Sequence, residues 1–205
     1  MTIWTIIPVK PPLQSKRRLA HLLSAEERAD LIGGFLRGML AELRQVEELS
    51  HLLIVSRDPA VGAVARRHDV VLLEEKRPFG LNSAVTQAAA WAGARGASGV
   101  LILPVDLPFL NATDIRHMLH ALPPVPALVL AADSRSQGTN GLLVTPPDQF
   151  TFHYGPNSLQ KHLQEAEKRE MVSRVLHCPG LQFDLDTEAD WQIYQRARQP
   201  MPDPI

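Results

Sequence analysis

The side chains best suited to chemistry in this 205-residue chain are carboxylates and ammonium groups gathered in a few short segments. Asp106 follows the apolar run Gly99-Val100-Leu101-Ile102-Leu103 and stands between Pro104 and Pro108, so its carboxylate should emerge rigidly from the end of a strand. A plain turn role would suit an aspartate there equally well. Asp184 and Asp186 alternate in Phe183-Asp184-Leu185-Asp186-Thr187. Alternate side chains of an extended backbone point the same way, so both carboxylates can face one ion. Such oxygen-only donors suit a hard cation, Mg²⁺ (or Mn²⁺), which takes one or two carboxylates and completes its shell with waters and phosphate oxygens. The competing role is local, because Asp186 or Thr187 could simply cap the last helix.

The basic stretch Lys10-Pro11-Pro12-Leu13-Gln14-Ser15-Lys16-Arg17-Arg18 leaves the first expected strand, the usual place for a phosphate-binding turn in an α/β sheet. It contains no glycine and is neither a Walker loop nor a G-x-G-x-x-G. Phosphate there would be held by Lys and Arg charge, and a solvated basic loop is the alternative. Gly138-Thr139-Asn140-Gly141 and Tyr154-Gly155-Pro156-Asn157-Ser158 offer N–H groups and hydroxyls of the kind that grip small anions, the second at the start of a helix. Taken alone, both also read as turns. The eight histidines show no metal-ligand spacing, and neither serine nor cysteine sits in a nucleophile elbow, so hydrolytic triad chemistry is not expected.

Strand and helix signals alternate along the chain, and they must position these groups. Ile3 to Val9 is a β-branched run stopped by proline, as in a strand buried on both faces. Ser24-Ala25-Glu26-Glu27 reads as a capping box, followed by Ile32, Phe35, Leu36, Met39, Leu40 and Leu43 at helical spacing. Further strands are expected at His51–Ser56, Val70–Leu73, Gly99–Leu103, Ala127–Ala132, Gly141–Thr145 and Val172–Leu176. Helices fill Pro59–His68, Asn82–Arg95, Thr113–Leu122, Ser158–Arg169 and Thr187–Arg198, the last opened by Thr187 and Asp190 as a capping pair. Right-handed βαβ crossovers follow, giving an α/β single-domain fold over 1–199 with a mostly parallel sheet flanked by helices and a ligand site at the strands' carboxyl ends. The Pro-rich tail 200–205 is expected to be disordered.

Bulk composition narrows the partners. With 21 Lys+Arg against 22 Asp+Glu the net charge is -1, so no global field draws in nucleic acid or an anionic membrane. The single cysteine, Cys178, excludes an internal disulfide framework and multi-cysteine metal sites, and a reduced, cytoplasmic setting is expected. No run approaches the roughly 20 apolar residues of a membrane span. Asn111-Ala112-Thr113 matches a glycosylation sequon, but Asn111 or Thr113 serves better as a helix cap. Oligomeric state leaves no signal.

The order of six segments carries a resemblance. Ile6-Ile7-Pro8-Val9-Lys10 with Ser15 to Leu19, Phe79-Gly80-Leu81-Asn82, Pro104 to Pro108, Gly138-Thr139-Asn140, Gly155 to Ser158 and Phe183 to Thr187 together resemble the guanylyltransferases of coenzyme F420 biosynthesis, over Ile3 to about Arg198. The resemblance implies a nucleotide-diphospho-sugar transferase-like fold that joins GMP from GTP to phosphoenolpyruvate, 2-phospho-L-lactate or 3-phospho-D-glycerate, with release of pyrophosphate. It implies a metal site of Asp106, Asp184 and Asp186, and catalytic Lys16, Arg18 and Asp106. Nucleotide contacts would come from Lys10, Lys16, Gly80, Leu81 and Asn82, and phosphoacid contacts from Thr139, Asn140, Gly155 and Ser158. Phosphoenolpyruvate is the favoured acceptor. Two departures touch the acceptor side: Asn157 stands where a glycine is usual, and Ser134-Arg135-Ser136-Gln137 replaces a more acidic or basic pattern. A molybdenum-cofactor or sugar-nucleotide enzyme of the same fold would need a glycine-rich loop after the first strand, which is missing. A non-catalytic nucleotide-binding module is the third alternative.

Overall fold

The computed structural model describes residues 1–148 and 150–198. The expected disordered tail lies outside these residues. A seven-stranded sheet in the order β3-β2-β1-β4-β6-β5-β7 is built from β1 (Ile3–Pro8), β2 (Leu49–Val55), β3 (Val71–Leu73), β4 (Gly99–Ile102), β5 (Ala127–Ala132), β6 (Thr139–Thr145) and β7 (Val172–Leu176). All strands are parallel except β6, which runs antiparallel to both β4 and β5. Among the described residues six α-helices accompany it: α1 (Ala25–Leu43), α2 (Pro59–Arg67), α3 (Leu81–Gly93), α4 (Ala112–His120), α5 (Ser158–Lys168) and α6 (Glu188–Arg198).

Every residue of β1 is buried, as a strand covered on both faces must be. Its pleat sends Ile3 and Ile7 into one core and Trp4 and Ile6 into the other. The first core packs α1, α4 and α6 through Leu36, Leu40, Ile115 and Tyr194. The second is closed by α3 and α5 through Ala88, Ala92, Leu159 and Ala166. The small side chains of α3 let that helix lie close on the sheet.

Local signals set the helix starts as the sequence indicates. Ser24 and Glu27 form the full capping box of α1, and Asn111 caps α4 by accepting the Asp114 N–H at 3.0 Å. Thr187 and Asp190 pair at the start of α6, with the Asp190 carboxylate accepting the Thr187 N–H at 2.7 Å and its hydroxyl at 2.8 Å. Thr187 therefore does the capping, and Asp186 does not.

One boundary differs from expectation. Thr139 and Asn140 belong to strand β6, which begins two residues earlier than the polar composition suggests, and both are buried. Asn140 donates to the Leu181 carbonyl and to Asp184, and the Thr139 hydroxyl lies within hydrogen-bond reach of His162 and Ser158, so a buried strand can hold both residues. Because β6 is reversed, its first residues lie at the same edge of the sheet where the parallel strands β1, β2 and β4 end. The chain leaving β7, parallel to β5, also arrives at that edge.

Candidate active site

Past β4 the chain runs to Asp106, and the segment after β7 docks on it directly, the Leu185 N–H donating to the Asp106 carbonyl at 3.1 Å. Leu185 is fully buried between Asp184 and Asp186, as alternation along an extended segment requires. The three carboxylates thus meet beside one backbone bond. Asn140 holds the approach from the sheet side, donating to the Leu181 carbonyl at 2.8 Å and to Asp184 Oδ1 at 3.4 Å.

Lys16 closes the arrangement. Its side chain is 5% exposed, and Nζ donates to Asp106 Oδ2 at 2.5 Å and Asp186 Oδ1 at 2.7 Å. Burial alone would lower the lysine pKa, but the two carboxylates outweigh it and hold it above the ordinary value. Asp184 is also shifted upward, which for a carboxyl favours the neutral form: burial, then the charges of Asp106 and Asp186, raise it above the usual range, with Asn140 opposing. One ammonium therefore balances three crowded carboxylates, which leaves the cluster short of positive charge.

That shortage bears on a metal ion. Among the described residues no three His, Cys, Asp or Glu side chains form a ready cage. The donor set nonetheless fits a hard divalent cation, because a cation already sits between Asp106 and Asp186 in the form of the Lys16 ammonium, and Asp184 lies beside them without one. Two or three carboxylates with room for phosphate oxygens is a coordination that magnesium accepts.

Asp106 and Asp186 line one wall of a cavity of about 220 Å³ whose other walls include Lys10, Lys16, Gly80 and Leu81. The loop carrying Lys16 is held from below by buried Arg28, which donates to the carbonyls of Ser15 at 3.1 Å and Leu23 at 2.7 Å. Lys16 itself takes the left-handed conformation at φ 51°, which aims its side chain inward. Arg18, expected to be catalytic, and Asn82, expected to contact the nucleotide, stand off the cavity wall. Arg18 is exposed on the short 3-10 turn Arg17–Leu19 and does not line the cavity. Asn82 faces the loop before α5, donating to the Tyr154 carbonyl at 3.0 Å and accepting the Tyr154 N–H at 2.7 Å.

Thr139 and Ser158 are brought together, with hydroxyls 3.3 Å apart, while Gly155 lies on the loop before Ser158 at φ +123°, a conformation that favours glycine. Asn157 also has positive φ, at 57°. This explains the departure from the usual glycine, since asparagine tolerates the left-handed region better than other non-glycine residues. Sequence reading missed Glu75, which lines the cavity and accepts the Gly80 N–H at 3.0 Å. It also missed fully buried His162, one helical turn after Ser158 on α5. No motif marks either residue. Only the i, i+4 spacing of Ser158 and His162 hinted that they share a helix face.

The architecture, with carboxylates and a basic loop gathered at the carboxyl edge of a mixed sheet, is that of the nucleotidyltransferase class. A nucleotide-diphospho-sugar transferase candidate from Desulfovibrio desulfuricans G20 superposes with a TM-score of 0.77 at 16% identity, covering 98% of this chain and 90% of that one. The family model described as "Guanylyl transferase CofC like" matches residues 3–193, and the chain belongs to that family. Curated relatives include the phosphoenolpyruvate guanylyltransferase of Rubrobacter xylanophilus, 36% identical over 93% of this chain and 92% of its own. The 3-phospho-D-glycerate guanylyltransferase of Colwellia psychrerythraea is 31% identical over 96% and 92%.

Proposed function

We propose that this chain transfers GMP from GTP to a small phosphorylated acid, phosphoenolpyruvate in the first instance, and releases pyrophosphate, as a step of coenzyme F420 assembly in the cytoplasm. The observation that carries the reading is the Lys16 ammonium held between Asp106 and Asp186 on the wall of the cavity. Membership of the guanylyl transferase family supports the reaction type, and the name of the Rubrobacter relative supports the acceptor.

In this reading Asp106, Asp184 and Asp186 hold Mg²⁺ or Mn²⁺. A divalent ion bound there neutralises charge on the reacting phosphates. An oxygen of the acceptor's phosphate attacks the α-phosphorus of GTP, a new P–O bond forms, and the bond to the β-phosphate breaks with its electron pair leaving on pyrophosphate. The attacking oxygen is already an anion, so no proton has to be removed. Lys16 turns from the carboxylates to phosphate oxygens, Lys10 on the cavity wall adds positive charge for the leaving group, and Arg18, exposed on the same loop, joins it by swinging its side chain inward. Gly80 and Leu81 form the nucleoside side, with Asn82 bracing the adjoining Tyr154 loop, and Thr139, Asn140, Gly155 and Ser158 form the acceptor side. Rate then comes from positioning and electrostatics.

The decisive experiment crosses GTP and ATP with phosphoenolpyruvate, 2-phospho-L-lactate and 3-phospho-D-glycerate, measuring pyrophosphate release with and without EDTA and identifying products by mass. GTP with phosphoenolpyruvate should be fastest, and EDTA should abolish release. Metal-independent GTP binding with no pyrophosphate from any acceptor would sink the proposal.

A further inference from the structure

A count of donors and acceptors around His162 points beyond the residues already assigned. His162 is 0% exposed and enclosed by the rings of Phe150, His153 and Tyr154, with centroids 5.9, 6.3 and 5.0 Å away. Its Nε2 accepts the His153 backbone N–H at 2.9 Å. That nitrogen therefore carries no proton, and in the neutral ring the proton must sit on Nδ1. Nδ1 lies 3.1 Å from Thr139 Oγ1, so the imidazole donates and the threonine accepts.

The hydroxyl pair follows from this. Thr139 and Ser158, 5% and 2% exposed, own two hydroxyl protons between them. One is consumed by the 3.3 Å contact joining the two oxygens. Whichever way that contact runs, the second proton cannot turn back to His162, because the ring is itself a donor there. Among the described residues it has no protein acceptor beyond this pair. A buried donor left unpaired is costly, and an anionic oxygen removes that cost.

We propose that His162 is a positioning residue of the acceptor site: held in its Nδ1–H form by the His153 N–H, it turns the Thr139–Ser158 hydroxyl pair into a one-proton donor for a phosphate or carboxylate oxygen of the phosphoacid. The inference rests on the reading that Thr139 and Ser158 face the acceptor. It assigns His162 no contact with substrate. Ser158 and His162, one turn apart on α5, present the hydroxyl and the ring together to the first residue of β6.

Two substitutions separate the ring's two hydrogen bonds. Asn places an amide N–H near the Nδ1 position and keeps the donor to Thr139. Gln places its carbonyl near Nε2, keeps the His153 bond and loses the donor. With GTP and Mg²⁺, His162→Gln should raise the KM for phosphoenolpyruvate roughly tenfold or more while the KM for GTP holds, and His162→Asn should stay within about threefold of the native protein. In the native protein, ¹⁵N NMR of the imidazole should report the Nδ1–H tautomer. An Nε2–H tautomer, equal effects of the two variants, or a matching rise in both KM values overturns the proposal; if His162→Gln fails to fold, the tautomer measurement decides. Thr139→Val separates the two levels of the argument. An unchanged acceptor KM in that variant overturns the acceptor assignment and this inference with it, whereas a raised KM beside an unaffected His162→Gln overturns the His162 role alone.

Discussion

Two ends of the polar cluster at the sheet's carboxyl edge offer opposite means of holding an anion. At one end Asp106, Asp184, Asp186 and Lys16 crowd unlike charges together, with the carboxylates of Asp106 and Asp186 still 25% and 48% exposed. At the other, Thr139, Ser158 and His162 are uncharged and almost wholly buried, and what they offer is a directed hydroxyl proton. Charge is strong and tolerant of direction, so it suits the place where several phosphates and an ion must be balanced. A neutral hydrogen bond is weaker but demands shape, so it suits discrimination among small acids.

Removing charge should have the largest effect. Asp106→Asn deprives the cluster of one carboxylate without changing its size, and pyrophosphate release should fall on the order of 10²–10³-fold, the magnitude seen when a preorganised electrostatic contact is lost. Because the loss concerns the chemistry and not the acceptor alone, it should appear with every acceptor tested. A selective loss with one acceptor would erase the contrast between the two ends.

The neutral end should instead reveal itself through pH. Burial, then the charge of His153, lowers the His162 pKa from its ordinary 6.5 to about 4, with Glu165 acting weakly against them. His153 and Glu165, whose side chains stand 3.5 Å apart, are the titratable groups facing it, together with the hydroxyls of Thr139, Ser158 and Tyr154. The folded state therefore resists protonation that the unfolded chain accepts. Its stabilising contribution is fully present above pH 6.5 and is lost as pH falls toward 4. Urea unfolding should give a stability about 2 kcal/mol lower at pH 5 than at pH 7 from this group. His162→Asn should remove that part of the slope, and a variant with the native slope would show that the ring is not held neutral.

The smallest effect is conformational. Asn157 precedes α5 with φ 57°, so Asn157→Ala should cost about 1 kcal/mol in a urea titration, while Asn157→Gly should match or exceed the native stability. Equal stability of the two variants would mean that the loop relaxes out of the left-handed conformation.

What the sequence disclosed follows the same division. Elements whose signals are local were legible: the buried run of β1, the capping box at Ser24, the pair at Thr187 and Asp190, and the alternation that turns Asp184 and Asp186 to one side. The bridge from Lys16 to Asp106 and Asp186 was not, because the partners lie 90 and 170 residues away and only the sheet order brings them together. The early start of β6 was hidden for a related reason. Thr139 and Asn140 look like loop residues until His162, Ser158, Leu181 and Asp184 supply the partners that let polar side chains sit in a strand.

The bond from the Leu185 N–H to the Asp106 carbonyl also orders events during synthesis. Lys16 and Asp106 leave the ribosome well before Asp184 and Asp186, and strands β5, β6 and β7 must pair before the later segment can reach its place. A nascent chain thus passes through a stage in which Lys16 has a single carboxylate partner and the anionic cluster is unfinished. The carboxylate cluster is completed only when the segment carrying Asp184 and Asp186, the last of its parts to be made, docks on Asp106.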